Sequence, residues 1–405
     1  MSCEPCIVGS HDHATLAQIR DVASRAVAAA LLPDAHVGYV MPIGGVAAYV
    51  DRVSVVGVGF DIACGNLAVR TDLHRDDLPH DLGPLADAIV AAIPFGVGVP
   101  NRAGDAPRDH PLFSDDPGWE ALASVGAPIE AMRARGRDGL GTVGGGNHYV
   151  DVFEDERRRI WIGLHFGSRG LGHAIASGFI SLSQGGSWGQ RAPEREVLLD
   201  VTSDTGQAYW AAMALAGRYA YAGRAWVAQK VLGVLGAEAC ETVHNHHNFA
   251  WREQHGGREV VVVRKGSTPA FPGQRGFVGG SMADEAVILR GAEGLTGDAA
   301  LLQQSLLASS VHGAGRVMGR RQAIGQRDRR GRVVRPGRIT REAMQDWVER
   351  AGVVVRGGDV DEAPQAYRRL GDVLAACGPT IVVEHRLRPL IACMAPAGAR
   401  DPYAD

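Results

Sequence analysis

The sequence predicts a mixed α/β (α+β) fold in one large domain, in which a central sheet builds a cleft. Helix-like and strand-like segments alternate along the whole chain, and no linker, internal repeat or low-complexity tract interrupts them. The composition, with 45% hydrophobic residues and 54 glycines, is typical of a globular protein with many tight turns. A chain of 405 residues could also hold two or three average domains, but the unbroken pattern favours a single domain over 1–405.

Apolar periodicity and turn residues locate the elements. Helical spacing predicts helices over 15–32, where Pro33 stops the pattern, and over 82–92, 207–235, 341–350 and 365–376. β-Branched and glycine-punctuated segments predict strands within 44–73 and at 159–167, 259–264, 285–290 and 380–384, with a helix beginning at Ser168. Residues 100–118, rich in Pro, Asp, Gly and Arg, predict a surface loop.

The long helix predicted over 207–235 carries large side chains at helical spacing. They are Trp210, Met213, Tyr219 and Trp226. Aromatic residues and methionine in such a pattern are more often part of a core than of a binding face, so we expect them to pack inside.

Charge and cysteine usage exclude several classes of protein. The formal net charge of −3 gives no global positive field, so any nucleic-acid site must be a local patch. The most basic run, 326–338, favours a solvated loop over an RNA contact.

Six scattered cysteines argue against a disulfide scaffold and for a reducing cytoplasm, and the C-x-x-C of Cys3 and Cys6 lacks the second pair of a zinc site. The sequence contains no apolar stretch of the kind that would predict a signal peptide or a membrane span.

Several potential metal ligands lie at predicted strand ends and turns. They are Asp61 and Cys64 in GFDIACGN, His148 in GGGNHYV, His165 in GLHFGSRG, and His244, His246 and His247 in VHNHHNF. Each one alone has a structural explanation, but the whole set indicates a metal site. A thiolate with imidazoles favours zinc over manganese on ligand softness. On a strand His244 and His246 share one face and His247 takes the other, so only part of this cluster can hold one metal pair.

His312, in VHGAGRVMGRR, lies beside a glycine-rich turn whose bare backbone allows close approach of a phosphate. A neutral imidazole there could act as a nucleophile and form a phosphoramidate, although a histidine before a glycine turn is more often structural. Further glycine-rich loops match neither a Walker A nor a GxGxxG pattern. Lys265 and Arg264 could clamp a triphosphate or form a surface basic pair, and Asn147 could bind a phosphate or cap its turn.

Taken together, the motifs resemble those of the RtcB family of RNA ligases over nearly the whole chain. The family's motifs occur in order as PDAHVGYVMPIGGVAA, VGFDIACGN, GTVGGGNHYVDV, LHFGSRGLG, HHNF, RKGSTPA, GGSM, HGAGRVM and DEAPQAY. Nine ordered motifs are far more specific than any single pattern among them.

The resemblance implies a GTP-dependent ligase with two Mn²⁺ ions, acting in RNA repair or tRNA splicing. Such an enzyme joins an RNA 3′-phosphate or 2′,3′-cyclic phosphate end to a 5′-hydroxyl end. Carried over by motif, Asp61, Cys64 and His148 would hold one manganese ion, and Cys64, His165 and His247 the other. His312 would accept GMP. The nucleotide contacts would come from Asn147, Asp151, Ser281, His312, Gly313, Ala314, Gly315, Arg316 and Tyr367. Because many family members are helped by archease, an archease-type activator is a candidate partner.

The chain departs from the family pattern around the nucleotide. Met394 stands near the position of a lysine that contacts the guanylate, Asp151 replaces a glutamate, Ala286 replaces a serine, and Gly319 replaces the serine of HGAGRxMSR. Metal binding and histidine guanylylation are therefore better supported than GTP selectivity. Two alternatives stay open: a metal-dependent phosphodiesterase acting on cyclic-phosphate RNA ends, and an RNA-end-binding protein without ligase activity.

Overall fold

The computed structural model describes residues 3–327 and 332–398, to which the following description refers. The helices are α1 (His13–Ala23), α2 (Val55–Val58), α3 (Gly83–Ala92), α4 (Gly118–Ser124), α5 (Ile129–Gly139), α6 (Arg169–Ser183), α7 (Asp204–Leu235), α8 (Gly297–Ser305), α9 (Arg320–Ile324), α10 (Arg341–Ala351) and α11 (Leu370–Ala376). The strands are β1 (Cys6–Ile7), β2 (Ala28–His36), β3 (Ile43–Tyr49), β4 (Arg52–Ser54), β5 (Gly65–His74), β6 (Tyr149–Asp155), β7 (Arg159–Phe166), β8 (Leu198–Asp200), β9 (Ala239–His246), β10 (Asn248–His255), β11 (Arg258–Lys265), β12 (Ser267–Pro269), β13 (Arg275–Val278), β14 (Ala286–Gly291), β15 (Ser309–Val311), β16 (Gly325–Arg327), β17 (Val333–Pro336), β18 (Val354–Arg356) and β19 (Ile381–Met394).

Two sheets form the centre of this mixed α/β fold, which confirms the predicted class. The larger sheet has the order β13-β14-β19-β6-β7-β5-β9, with β18 paired to β19. The smaller sheet has the order β1-β2-β3-β11-β10. Neighbouring strands of the larger sheet run antiparallel from β13 to β9, so the start of β5 meets the ends of β7 and β9 at one edge.

Most of the predicted elements are confirmed. Helix α3 lies over the predicted 82–92, α7 extends the predicted 207–235 by three residues, and Ser168 is the N-cap of α6. Strands β7, β11 and β14 coincide with their predictions within one residue. Of the large side chains on α7, Met213 and Tyr219 are fully buried, whereas Trp210 and Trp226 are only partly buried.

The helix predicted over 15–32 is wrong in its second half. Helix α1 ends at Ala23, and Ala28–His36 forms strand β2. The run of alanine and leucine favours a helix locally, but β2 is nearly buried throughout and pairs with β1 and β3, so long-range pairing overrides the propensity. Asp34 therefore lies on a strand and not on a helix.

Two further boundaries and one predicted surface loop differ from prediction. Helix α11 begins at Leu370 after a 3₁₀ turn, five residues later than expected. Strand β19 does not stop at 384 but continues to Met394, because pairing with β6 extends its ladder. Within the predicted surface loop 100–118, Phe113 is buried by a 3₁₀ turn.

The basic run, the cysteines and the helices bear on three further predictions. Of the basic run 326–338, residues 328–331 lie outside the described residues, and β17 within it is exposed. All six cysteines are free, in agreement with the prediction that excluded a disulfide scaffold. No described helix is long and apolar enough to cross a membrane.

Phe179 tests how far the packing of α6 on α7 supports the fold. Its ring is fully buried, 5.2 Å from the ring of Tyr209 and 5.6 Å from that of Trp188. We expect Phe179→Ala to lower the free energy of unfolding by about 3–5 kcal/mol, because it leaves a cavity between helices. Urea denaturation measures this, with the exposed Val334→Ala as the control, for which about 0.5 kcal/mol or less is expected. A loss below about 1 kcal/mol for Phe179→Ala would contradict the described packing.

Candidate metal and nucleotide site

A cleft of about 2240 Å³ collects the five metal ligands and the nine nucleotide contacts that the family resemblance implies. The metal-ligand candidates in its wall are Asp61, Cys64, His148, His165 and His247. The nucleotide-contact candidates in its wall are Asn147, Asp151, Ser281, His312, Gly313, Ala314, Gly315, Arg316 and Tyr367. Residues from distant parts of the chain therefore share one surface.

Cys64 is the centre of the ligand cluster. Its Sγ lies 3.7 Å from Nε2 of His148 and 3.6 Å from Nε2 of His165, and His148 Nε2 lies 3.1 Å from Asp61 Oδ2. Cys64 precedes β5, His148 precedes β6, and His165 is the penultimate residue of β7. The sheet register brings these strand ends to one edge, so the cluster follows directly from strand pairing.

Neighbouring groups orient both histidines and fix the tautomer of His165. His165 Nδ1 lies 2.6 Å from Asn66 Oδ1, and the Asn66 amide nitrogen donates to the carbonyl oxygens of Phe277 and His312. Because that amide oxygen must then accept, His165 carries its proton on Nδ1 and presents the Nε2 lone pair to Cys64. His148 Nδ1 lies 2.9 Å from the carbonyl oxygen of Val143 and 3.1 Å from the Arg169 guanidinium, and these contacts orient its ring with Nε2 towards Cys64.

Burial sets the protonation states of the cluster. Burial and the charge on His148 hold the pKa of His165 well below its usual range, so the ring is neutral, which is the form that binds metals. Burial alone would raise the pKa of Asp61, but the contact with His148, the charge of Arg169 and the hydrogen bond from Cys64 together outweigh burial and lower the pKa to about 2. Burial and the Asp61 carboxylate raise the pKa of the Cys64 thiol, which a bound cation would deprotonate.

The three histidines at the end of β9 do not all face the cleft, as the two-residue period of a strand requires. The fully buried Arg224 donates to His244 Nε2 at 2.7 Å, and its second amino nitrogen lies 3.1 Å from His246 Nδ1. His247, by contrast, lines the cleft, with its ring 5.0 Å from that of His165 and 4.9 Å from that of His312. Its buried Nδ1 has no hydrogen-bond partner among the described residues. Of the three histidines, only His247 can join the cluster.

Two backbone features make room for this arrangement. Ala63, immediately before Cys64, has φ +59°, a left-handed conformation that a residue with a Cβ adopts only at some cost. A Cβ at Gly167 would lie 2.4 Å from Oδ1 of Asp61, so only glycine leaves space for that carboxylate. Arg224 also donates to the carbonyl oxygens of Ala63 and Phe166, at 3.1 and 2.5 Å, and thereby ties the segments next to Cys64 and His165 together.

His312 is paired with a buried carboxylate. Asp34 Oδ2 lies 2.7 Å from His312 Nδ1 and accepts a second hydrogen bond from the His312 backbone amide at 3.1 Å. Asp34 is fully buried, and its Oδ1 has no partner among the described residues. The pairing places the proton of His312 on Nδ1 and leaves the Nε2 lone pair available as a nucleophile.

The glycine-rich loops meet beside His312. Gly279 and Gly313 form a β-bridge, which joins the GGSM loop to the HGAGR loop. Gly315 has φ +74°, and a Cβ there would lie 2.1 Å from the Asp34 carbonyl oxygen, so the turn requires glycine. Ser281 donates to Asp284 at 2.6 Å, which orients its hydroxyl at the cleft wall.

Arg316 is held in place by protein groups. Its guanidinium donates to the Tyr367 hydroxyl at 2.9 Å and to the Asp361 carbonyl oxygen at 2.7 Å, and lies 3.5 Å from Glu362. It also lies over the ring of Tyr367, with 5.0 Å from Cζ to the centroid. This network fixes the position of Tyr367, while part of the charge on Arg316 is already balanced.

The departures from the family pattern fall in different places. Asp151 and Met394 line the cleft, where they can affect a bound nucleotide. Asp151 is buried, which raises the pKa of its carboxyl well above the usual range, and its Oδ1 has no partner among the described residues. Ala286 instead packs, fully buried, beside Phe153 and Trp161 and does not line the cleft.

The two candidate clamp residues also separate. Arg264 is fully buried, paired with Glu253 at 2.6 Å, and outside the cleft wall, so it is neither a triphosphate clamp nor part of a surface basic pair. Lys265 lines the cleft, and its Nζ donates to the Val56 carbonyl oxygen at 3.3 Å.

Sequence reasoning missed the residues that orient the site. Asn66, Arg224 and Asp34 each hold a candidate ligand or nucleophile through hydrogen bonds described above. Asp34 lies within the quoted PDAH motif and Asn66 within FDIACGN, but neither motif reveals which side chain it contacts. Arg224 lies in an apolar helix, where an arginine at a buried position was the one available signal.

Comparisons with known proteins point to one family. The family model described as "tRNA-splicing ligase RtcB" matches residues 14–395. The chain is 31% identical to the RNA-splicing ligase RtcB of Escherichia coli K12, over 89% of this chain and 88% of that protein. It is 32% identical to the tRNA-splicing ligase RtcB of Archaeoglobus fulgidus, over 90% of this chain and 87% of that protein. The corresponding values for the RNA-splicing ligase RtcB of Mycobacterium bovis are 32%, 85% and 91%.

Asn66→Leu tests whether the hydrogen bond to His165 prepares a ligand. The substitution removes the acceptor that fixes the ring, so we expect the affinity for a divalent metal ion to fall about 10–100-fold. Titration calorimetry measures the dissociation constant. Asn101→Leu is the matched control, because Asn101 is equally buried and bonded to backbone but lies outside the cleft wall. Equal affinities for Asn66→Leu and the wild type would contradict the assigned role.

The half-buried His36 of the cleft wall predicts an acid-sensitive stability. Burial lowers the pKa of His36 to about 4, whereas a histidine in the unfolded chain titrates near 6.5. Between these values the unfolded state binds more protons, so stability falls as the pH drops from about 6.5 to 4. We expect His36→Asn to reduce this slope by up to about 1.4 kcal/mol per pH unit, measured by urea denaturation across that range. The substitution His80→Asn, at an exposed histidine, is the reference, and an unchanged slope in His36→Asn would refute the prediction.

Proposed function

We propose that this chain, which belongs to the RtcB family and is an RNA ligase, uses GTP and manganese to join RNA 3′-phosphate or 2′,3′-cyclic phosphate ends to 5′-hydroxyl ends. One observation carries the details of the proposal. The nucleophilic Nε2 of His312 is prepared by Asp34 at the border of a thiolate–imidazole cluster, 4.9 Å from the ring of His247. Such a cluster beside an oriented imidazole suits the transfer of a nucleotidyl group to that imidazole.

The donor set fits two divalent cations. Asp61, Cys64 and His148 would hold one ion, and Cys64, His165 and His247 the other. The buried and unpartnered Nδ1 of His247 and the oriented Nε2 atoms of the other two histidines support this fit. When bound, the cations neutralise the phosphates and help to align the reacting groups. Softness alone would select zinc for these donors, so manganese rests on membership of the family.

His312 performs the first step in this proposal. Its Nε2 lone pair attacks the α-phosphorus of GTP, an N–P bond forms, and the bond to the pyrophosphate oxygen breaks. The imidazole gains positive charge as it attacks, and the Asp34 carboxylate on Nδ1 stabilises that charge. The product is a GMP group bound covalently to His312.

Later steps consume this intermediate. An oxygen of the RNA 3′-phosphate attacks the phosphorus on His312, the N–P bond breaks, and the RNA end is activated as a diphosphate with GMP. The 5′-hydroxyl then attacks the RNA phosphorus, loses its proton and displaces GMP. A cyclic phosphate must first be opened by water to the 3′-phosphate. The backbone amides of Gly313–Gly315 and the side chains of Asn147, Ser281 and Tyr367 are the proposed contacts of the nucleotide.

The loss of a lysine near Met394 supports a narrower alternative. Met394 and the buried Asp151 line the cleft but offer no cation to a base, so a weak nucleotide site would leave only the opening of cyclic phosphates. Such a protein would act as a metal-dependent phosphodiesterase. The labelling experiment below separates this alternative from ligation.

Guanylylation of His312 is the central test. We expect wild-type protein incubated with Mn²⁺ and α-³²P-labelled GTP to retain label after denaturation, and His312→Ala to retain none, because the nucleophile is gone. Asp34→Asn should slow labelling by about 100-fold or more, because the tautomer and the charge stabilisation are both lost. Gel autoradiography over time gives the rates.

His80→Ala serves as the control, because it removes an exposed histidine that lies outside the cleft wall and leaves the His312–Asp34 pair in place. Absence of label on the metal-loaded wild type would reject the ligase mechanism. If such protein still opened 2′,3′-cyclic phosphate ends, the phosphodiesterase alternative would replace it.

A further inference from the structure

An aromatic patch lies in the same cleft and has no role in the steps described above. It consists of Tyr39, Phe60 and His173, all of which line the cleft. The rings of Phe60 and His173 stack with centroids 5.2 Å apart and an interplanar angle of 28°, and Tyr39 meets Phe60 edge to face at 5.8 Å. The three rings therefore form one continuous surface.

Tyr39 stands out by its exposure. Among the aromatic residues that the structure describes, Tyr39 alone is classed as exposed, with 46% of its surface accessible. Other exposed apolar side chains also line this cleft, namely Val37, Val99 and Val317. A large ring left in water beside a functional site indicates an apolar ligand surface.

The loop that carries Tyr39 is held firmly. The Gln18 amide nitrogen donates to the carbonyl oxygens of Gly38 and Tyr39, at 2.7 and 2.9 Å, and its oxygen accepts from the Gly38 amide at 3.1 Å. Three hydrogen bonds from one side chain thus fix the backbone of this loop. The exposed ring is presented in advance, which lowers the entropic cost of binding a ligand on it.

The patch borders the reacting groups on two sides. Phe60 precedes Asp61 of the ligand cluster. Lys265 lies over Tyr39, with Nζ 5.5 Å from the ring centroid, and the next residue is Gly266, where a Cβ would lie 3.0 Å from Cε1 of His312. A ligand on Tyr39 would therefore lie close to the metal cluster and to His312.

The surroundings of the patch favour an anionic chain. Arg135, Arg191 and Lys265 line the same cleft, and the charge of Arg135 acts on His173. Of the carboxylates in the wall, Asp138 pairs with Arg108 at 2.9 Å, and Asp12 accepts from the Thr15 amide at 2.8 Å as the cap of α1. Exposed aromatic rings with cations alongside are the features by which proteins bind single-stranded RNA.

We propose that the aromatic patch is a nucleobase subsite, in which a base of the RNA near the ends to be joined stacks on Tyr39. This subsite rests on the proposed function for its substrate, RNA. Lys265 and Arg135 would contact the phosphates on either side of the stacked base. The subsite is tolerant of sequence, because every base offers a π-face.

Binding of short RNA strands with a 3′-phosphate or a 5′-hydroxyl tests the subsite by fluorescence anisotropy. We expect Tyr39→Ala to weaken binding about 5- to 150-fold for the strand that reaches the patch, and Tyr39→Phe to bind like the wild type. Trp210→Ala, a partly buried aromatic residue outside the cleft wall, is the control and should not change the affinity. Equal binding by Tyr39→Ala and the wild type would overturn the proposal.

An abasic scan identifies the stacked base. Removing the base at one position should weaken binding to the wild type and have little effect on Tyr39→Ala, because both changes delete the same contact. The salt dependence separates stacking from charge. Arg135→Gln should reduce the slope of log K against log salt by about 0.7, while Tyr39→Ala should leave that slope unchanged. A scan without any such position would reject the subsite.

Labelling of His312 keeps this proposal distinct from the proposed function. Tyr39→Ala should accept GMP from GTP at the wild-type rate, because no RNA takes part in that step. If Tyr39→Ala needed more GTP for labelling, the ring would contact the nucleotide, and the RNA subsite would be wrong. If the wild type bound RNA through Tyr39 but accepted no label, the subsite would stand and the ligase mechanism would fail.

Discussion

The pairing of β5 with β7 and β9 is the constraint on which the site depends. Antiparallel pairing brings the start of β5 to the same sheet edge as the ends of its two neighbours, and β6 begins there as well. Cys64, His165, His247 and His148 lie at or next to those four strand ends. A slip of one residue in this register would turn the side chains of β5 to the opposite face. The cluster and the sheet are therefore specified by the same interactions.

The strand register places the candidate ligands approximately, and buried polar side chains then fix their orientation. Asn66 fixes His165 through one amide oxygen, and Arg224 ties the segments beside Cys64 and His165 while it occupies His244 and His246. Each of these groups is buried with its hydrogen bonds made, so their arrangement is rigid. These hydrogen bonds therefore direct the Nε2 lone pair of His165 towards Cys64.

The cleft combines groups with different chemistry along one wall. The soft ligand cluster adjoins the His312–Asp34 pair, the glycine-rich loops follow it, and the aromatic patch with its cations lies alongside. An RNA ligase must hold a nucleotide and two RNA ends near one reactive group, and a single large cleft lets these ligands share the same cations and backbone donors. Departures such as Met394 alter one part of this wall and leave the ligand cluster and His312 in place.

The sequence by itself determined the fold class, most element positions and the family, because the motifs are local and their glycines, histidines and cysteine are distinctive. It also predicted that His312 and five ligand candidates belong to one site, and all six line one cleft. The tertiary structure decided what local patterns do not encode. Strand β2 forms because of long-range pairing that overrides helix propensity, and this pairing brings Asp34 to His312. Only the fold shows that Arg224 occupies His244 and His246 and that Ala286 packs in the core, since those contacts join segments far apart in the chain.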